Sequence, residues 1–140
     1  MQSVKYVRDD DKPVAVSDRE AHRVIDTSPF VGTWITTNKA TRGIVRMEVT
    51  DEDGILLIRT FGACSPAPCD WGIVKASVFA DGIDSTTGLA FSAVYDFGFI
   101  QSDLQAKIKK GVLVVASFNR FKDDSGRANY FSREFFYRDE

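Results

Sequence analysis

The chain has 140 residues, 44% of them hydrophobic, with 18 basic and 20 acidic side chains and a formal net charge of −2. That length accommodates one domain with a proper core and leaves little room for a second. The near-balanced charge, free of basic clusters, gives no footing for nucleic acid or an anionic membrane surface, and no uncharged run is long enough to span a bilayer.

Residues 1–28 read as an arm separate from a domain over 29–140. Met1 to Val16 carries Arg8, Asp9, Asp10, Asp11, Lys12 and Pro13 with few large apolar groups, which predicts a loosely docked segment. Met1 to Asp11 lacks the apolar stretch of a secretory signal, so a cytoplasmic protein is expected. Ser17-Asp18-Arg19-Glu20 matches a capping box, and Ala21, Val24 and Ile25 follow at helical spacing. The pattern predicts a short helix over 18–26.

From Phe30 the hydrophobic period becomes two. Strands are expected at about 31–38, 43–50, 55–62, 72–79, 88–96, 99–109, 112–121 and 128–138. Asp53-Gly54, Phe97-Gly98 and Lys110-Gly111 place glycine where a two-residue hairpin needs positive φ. Eight antiparallel strands joined in sequence remove their edges by closing, so the fold class is all-β, an eight-stranded up-and-down barrel able to hold one small ligand.

The hairpins fix which residues face inward. About Lys110-Gly111, Ile108 opposes Leu113, Ala106 opposes Val115, Leu104 opposes Ser117 and Ser102 opposes Asn119. About Phe97-Gly98, Tyr95 opposes Ile100, Ala93 opposes Ser102 and Phe91 opposes Leu104. About Asp53-Gly54, Val49 opposes Ile58 and Met47 opposes Thr60 inside, Arg46 opposes Phe61, and Glu48 and Arg59 form an outer cross-strand ion pair. The lining is therefore mainly apolar, with Thr60, Tyr95, Ser102, Ser117 and Asn119 as polar members. The last strand has two phases. A four-residue Asp123–Gly126 loop turns Tyr130, Ser132, Glu134 and Phe136 inward; one more residue turns Phe131, Arg133, Phe135 and Tyr137 inward, and this second phase is preferred because it hides more apolar surface.

Gly32-Thr33-Trp34 resembles the Gly-x-Trp that opens lipocalins and the Gly-Thr-Trp of avidin-type barrels. The resemblance implies a calycin-type barrel in which Trp34 packs across one end, beneath an arginine of the last strand, Arg133 or Arg138. The segment Gly62-Ala63-Cys64-Ser65-Pro66-Ala67-Pro68-Cys69-Asp70-Trp71-Gly72 also resembles one found in small uncharacterised bacterial proteins, which carry no activity to transfer.

Cys64 and Cys69 flank four residues and could close a disulfide at a barrel mouth, although a cytosolic setting favours reduced thiols. Two cysteines and a single histidine, His22, fall short of a zinc site, and no metal or cofactor is expected. A Ser-His-Asp triad is disfavoured because that histidine lies outside the barrel strands. Trp34 and Trp71 read first as packing residues, and Asp123-Asp124-Ser125-Gly126 as a turn. Val112, Val114, Ala116 and Phe118 make an apolar outer stripe on strand seven that needs a cover, either the N-terminal helix or a second copy in a homodimer.

Three functional expectations arise from this lining. The first is a binding module for a neutral apolar or aromatic small molecule, lined by Trp34, Met47, Thr60, Phe91, Tyr95, Ser102, Ser117 and Asn119. The second is a cofactor-free cyclase or isomerase, in which Tyr95 and the inward member of Arg133 or Glu134 would act on a substrate folded by the cavity. A filled barrel serving only as a structural domain is the plainer third.

Overall fold

The computed structural model describes residues 24–140. Eight antiparallel strands, β1 (Gly32–Thr36), β2 (Ile44–Glu52), β3 (Ile55–Gly62), β4 (Cys69–Ala80), β5 (Gly88–Asp96), β6 (Ile100–Lys109), β7 (Val112–Phe121) and β8 (Tyr130–Arg138), form a closed barrel. Each strand pairs with the next, and β8 returns to β1 through Trp34 opposite Arg138 and Thr36 opposite Phe136. Among the described residues no helix is long and apolar enough to cross a membrane.

Two turns set their hairpins as the sequence predicts. Asp53 and Gly54 take φ of 55° and 85°, and Lys110 and Gly111 take 54° and 80°, the left-handed pair of a type I′ hairpin. Val49 accordingly faces Ile58, Met47 faces Thr60, Ala106 faces Val115 and Ser102 faces Asn119. The Phe97 turn differs: its loop is Gly98-Phe99, closed by the Phe97 amide on the Ile100 carbonyl at 2.9 Å. Tyr95 therefore faces Ser102, Ala93 faces Leu104 and Phe91 faces Ala106. The slip is two residues along β6, and the pleat repeats every two, so the same side chains still point inward.

The last strand takes the phase that was not preferred. Asn119 pairs with Tyr130, Ser117 with Ser132, Val115 with Glu134 and Leu113 with Phe136, the register of a four-residue loop. Phe131, Arg133, Phe135 and Tyr137 lie outside. Apolar burial does not select the phase, because Phe136 is fully enclosed opposite the equally buried Leu113 and the outer aromatics are partly sheltered, Phe131 packing on Phe118 at 5.1 Å. The Glu48–Arg59 ion pair is also not formed: Arg59 engages Asp70, and Glu48 engages Arg46 at 3.2 Å.

One end is packed shut. A 3-10 turn at Ser28–Phe30 tucks Phe30 under the barrel, edge-on to Phe91 at 5.4 Å. Trp34 donates its indole N–H to the Phe30 carbonyl at 2.9 Å. Arg138, rather than Arg133, covers its ring at 4.4 Å and donates to the carbonyls of Pro29, at 2.8 Å, and Val31. Gly32 has φ of 141°, and a Cβ there would come within 2.7 Å of the Arg138 guanidinium, which accounts for the glycine two residues before the tryptophan. Above this plug Met47, Val49, Leu56, Ile58, Leu104, Leu113, Val115 and Phe136 fill the lower interior.

The helix expected over 18–26 lies mostly outside the described residues. Its last residues, Val24 to Asp26, are not helical; Asp26 instead forms a bridge to Thr87, its amide donating to the Thr86 carbonyl at 2.7 Å.

Candidate functional site

Polarity inside the barrel is segregated along its axis. The apolar core occupies the plugged end, whereas the inward positions nearest the other end include the polar Thr36, Tyr95, Ser102, Ser117, Asn119, Ser132 and Glu134 beside the apolar Ile44 and Trp71. This second end is framed by the loops that follow β1, β3, β5 and β7. It holds a recess of about 430 Å³ whose inner wall is Ile44, Trp71, Ser117, Asn119, Ser132 and Glu134.

Trp71 enters the recess because β4 is bulged. Arg59 faces Ile73 but Phe61 faces Asp70, so one extra residue sits on β4, and Gly72 supplies it with φ of 93°. The bulge reverses the alternation, and an odd-numbered side chain joins the even-numbered Val74, Ala76 and Val78 in packing on the core. Two contacts fix it. Outside, Asp70 accepts the Gly72 amide at 2.9 Å and the Arg59 guanidinium at 3.1 Å; inside, the Tyr95 hydroxyl lies 2.8 Å from the Gly72 carbonyl and 3.0 Å from that of Ile58. The Arg59 bond holds the Asp70 carboxyl below its ordinary range, and burial pushes the Tyr95 phenol up.

Tyr95 thus bonds to backbone carbonyls and not to Ser102 or Asn119. Its ring meets Trp71 edge-on at 5.4 Å and stacks with Phe97 at 5.8 Å, while Trp71 and Phe97 meet edge-on at 5.5 Å. The indole lies against Gly62, where a Cβ would fall 2.6 Å from its nitrogen.

Glu134 occupies the opposite wall. Its Oε2 accepts the Ile44 amide at 3.1 Å, at the point where β2 leaves the rim. Gly43 makes this approach available, since a Cβ there would lie 2.2 Å from the same oxygen. The other oxygen, Oε1, is buried and has no hydrogen-bond partner among the described residues. Beside it Asn119 Oδ1 accepts from Ser102 Oγ at 2.6 Å and Ser117 Oγ at 3.1 Å, a small polar cluster largely satisfied within itself.

The expected site residues therefore divide. Ser117 and Asn119 line the recess, Glu134 faces into it and Arg133 stands on its rim from the outer face. Thr60, Tyr95 and Ser102 are buried just behind its wall. Trp34, Met47 and Phe91 belong to the close-packed lower interior, between 0% and 1% exposed. Trp71, Ile44 and Ser132 were missed as lining. Gly72 directly after Trp71 is the one sequence signal that points to a bulge.

Cys64 and Cys69 form a disulfide, with Cα atoms 5.5 Å apart, which corrects the expectation of reduced thiols. The bond ties the two ends of the β3–β4 loop, where Gly62 pairs with Cys69. Among the described residues no three His, Cys, Asp or Glu side chains converge to hold a metal. Compared with models of protein families, with curated proteins and with solved structures, the chain matches none.

Proposed function

We propose that the protein is a calycin-like small-molecule-binding barrel whose ligand sits in the open-end recess and not along the barrel axis. The observation that carries this reading is the buried, unpartnered Oε1 of Glu134 facing a cavity with an indole on its opposite wall. A carboxylate oxygen removed from water costs stability unless something donates to it. A ligand with an aromatic or flat apolar body against Trp71 and an amine, amide or hydroxyl donor toward Glu134 supplies what is missing. The recess volume falls in the range of small-ligand sites. The ligand is thus a donor-bearing compound of modest size, more polar than the neutral apolar or aromatic one expected from the sequence.

The same carboxylate supports the second reading, a cofactor-free isomerase or cyclase. Glu134 would there serve as the base, because the Tyr95 proton is engaged by backbone carbonyls. The disulfide favours an oxidising compartment over the cytoplasm.

An NMR titration with three matched probes, tyramine, tyrosol and 4-hydroxyphenylpropionate, tests the reading. Tyramine is expected to shift the Trp71 indole and Asn119 side-chain resonances most strongly, and Glu134→Gln is expected to remove its advantage over tyrosol. Preference for the carboxylate probe, or shifts absent from the recess, would overturn it.

A further inference from the structure

The outer wall carries a second feature, which shares only Arg133 with the recess. Strand register aligns Phe79, Ala90, Lys107, Val114 and Phe135 in one row across β4 to β8. At about 4.8 Å per strand the row runs roughly 19 Å, with an aromatic ring at each end and Ala90, Lys107 and Val114 between. The adjacent row has Ser92, Gln105 and Ala116 on its floor and ends on Arg133. Together they enclose a trough of about 710 Å³.

The charge of this trough is of one sign. Among the described residues its lining includes Lys107, Lys109 and Arg133 and no carboxylate. Among the described residues none of the three takes part in an ion pair, although Arg46, Arg59, Arg120, Lys122 and Arg127 all do. Phe79 and Phe135 are 52% and 42% exposed at its two ends, so the apolar walls stand open.

We propose that this trough binds a monomeric single-chain amphiphile with an anionic head, such as a free fatty acid. The tail lies along Ala90, Val114 and Ala116 between the two phenylalanines, where burial of apolar surface holds it, and the carboxylate is met by Lys107, Lys109 or Arg133. A second copy of the chain fits less well: a two-fold contact centred on the row would bring the same cations of both copies together. The tail would also cover Val114 and Ala116, the middle of the β7 stripe for which the sequence offered the N-terminal helix or a second copy.

Calorimetric titration with dodecanoate below its micelle concentration tests the proposal. Saturable one-to-one binding is expected, weakened by about tenfold or more in the double variant Lys107→Glu, Lys109→Glu and lost in Ala116→Trp, which fills the floor. The charge reversal alters no core side chain, so it decides the matter even if the tryptophan variant fails to fold. Equal binding by the reversed protein, or equal affinity for dodecyltrimethylammonium, overturns the proposal. So does association with phosphatidylglycerol vesicles without binding of dodecanoate, or a wild-type dimer that Phe135→Glu dissociates. Methyl resonances of Ala90 and Ala116 are expected to shift with dodecanoate; shifts confined to Trp71 and Ser132 would move that ligand to the recess and leave only the first site standing.

Discussion

The Tyr95 hydroxyl lies 2.8 Å from the Gly72 carbonyl, and that contact holds the bulge that turns Trp71 into the barrel mouth. A phenol from β5 thereby determines the shape of a site formed mainly by other strands. Tyr95→Phe keeps the ring stacking but removes the single phenolic proton that the Gly72 and Ile58 carbonyls share, and a loss of about 1–3 kcal/mol in unfolding free energy is expected. Denaturant unfolding followed by tryptophan emission measures it, and a neutral result would remove the clamp from the account.

The same phenol gives an alkaline signature. Its folded-state pKa is raised above the ordinary 10.0, so the native state keeps a proton that the unfolded chain gives up. The stabilisation is complete below pH 10 and is lost as the pH climbs through the folded value. Wild type should therefore lose stability above pH 10 more steeply than Tyr95→Phe, as thermal unfolding across that range will show.

On the acid side the sign reverses. Asp70, held low chiefly by Arg59, and Asp96, held low chiefly by Lys122, have folded pKa values below the ordinary 3.8. Their contribution is present above that value and fades as the pH falls through the folded ones. Unfolding midpoints are expected to drop below about pH 4, and Asp70→Asn should flatten part of that decline while loosening the bulge.

Gly43 is expected to be essential to the recess and dispensable to the barrel. Gly43→Ala places a methyl where Glu134 Oε2 now sits, so the carboxylate must leave the Ile44 amide. Thermal stability should change modestly, by about 1 kcal/mol for one rim hydrogen bond, while the tyramine preference disappears. Retention of that preference would show that Glu134 does not orient the ligand.

Joining Cys64 to Cys69 closes a short loop, and chain entropy assigns such a bond roughly 2 kcal/mol. Cys64→Ser with Cys69→Ser should lower the unfolding midpoint accordingly and broaden the resonances of the β3–β4 loop. An unchanged midpoint would assign the pair no structural role.

The sequence displays this barrel unevenly, for physical reasons. Hairpins at Asp53-Gly54 and Lys110-Gly111 could be registered residue by residue because both loop positions need positive φ and glycine occupies the second. At Gly98 the glycine stands first in its loop, which moved the pairing by two residues without changing the inward face. The β4 bulge reversed a face through one inserted residue, so Trp71 escaped the alternation that placed Ser117 and Asn119 correctly. Strand β8 had aromatic or apolar groups in both phases, and hydrophobic burial alone could not choose between Phe136 and its neighbours. The axial separation of polar from apolar lining, and with it the recess, emerges only when the strand ends are set side by side.

Native mass spectrometry of the protein purified from its own host, beside its Glu134→Gln and Trp71→Ala variants, tests the central claim most directly. The account predicts a small donor-bearing molecule carried by wild type and absent from both variants. A bare polypeptide mass for wild type, or an adduct that both variants retain undiminished, would contradict it.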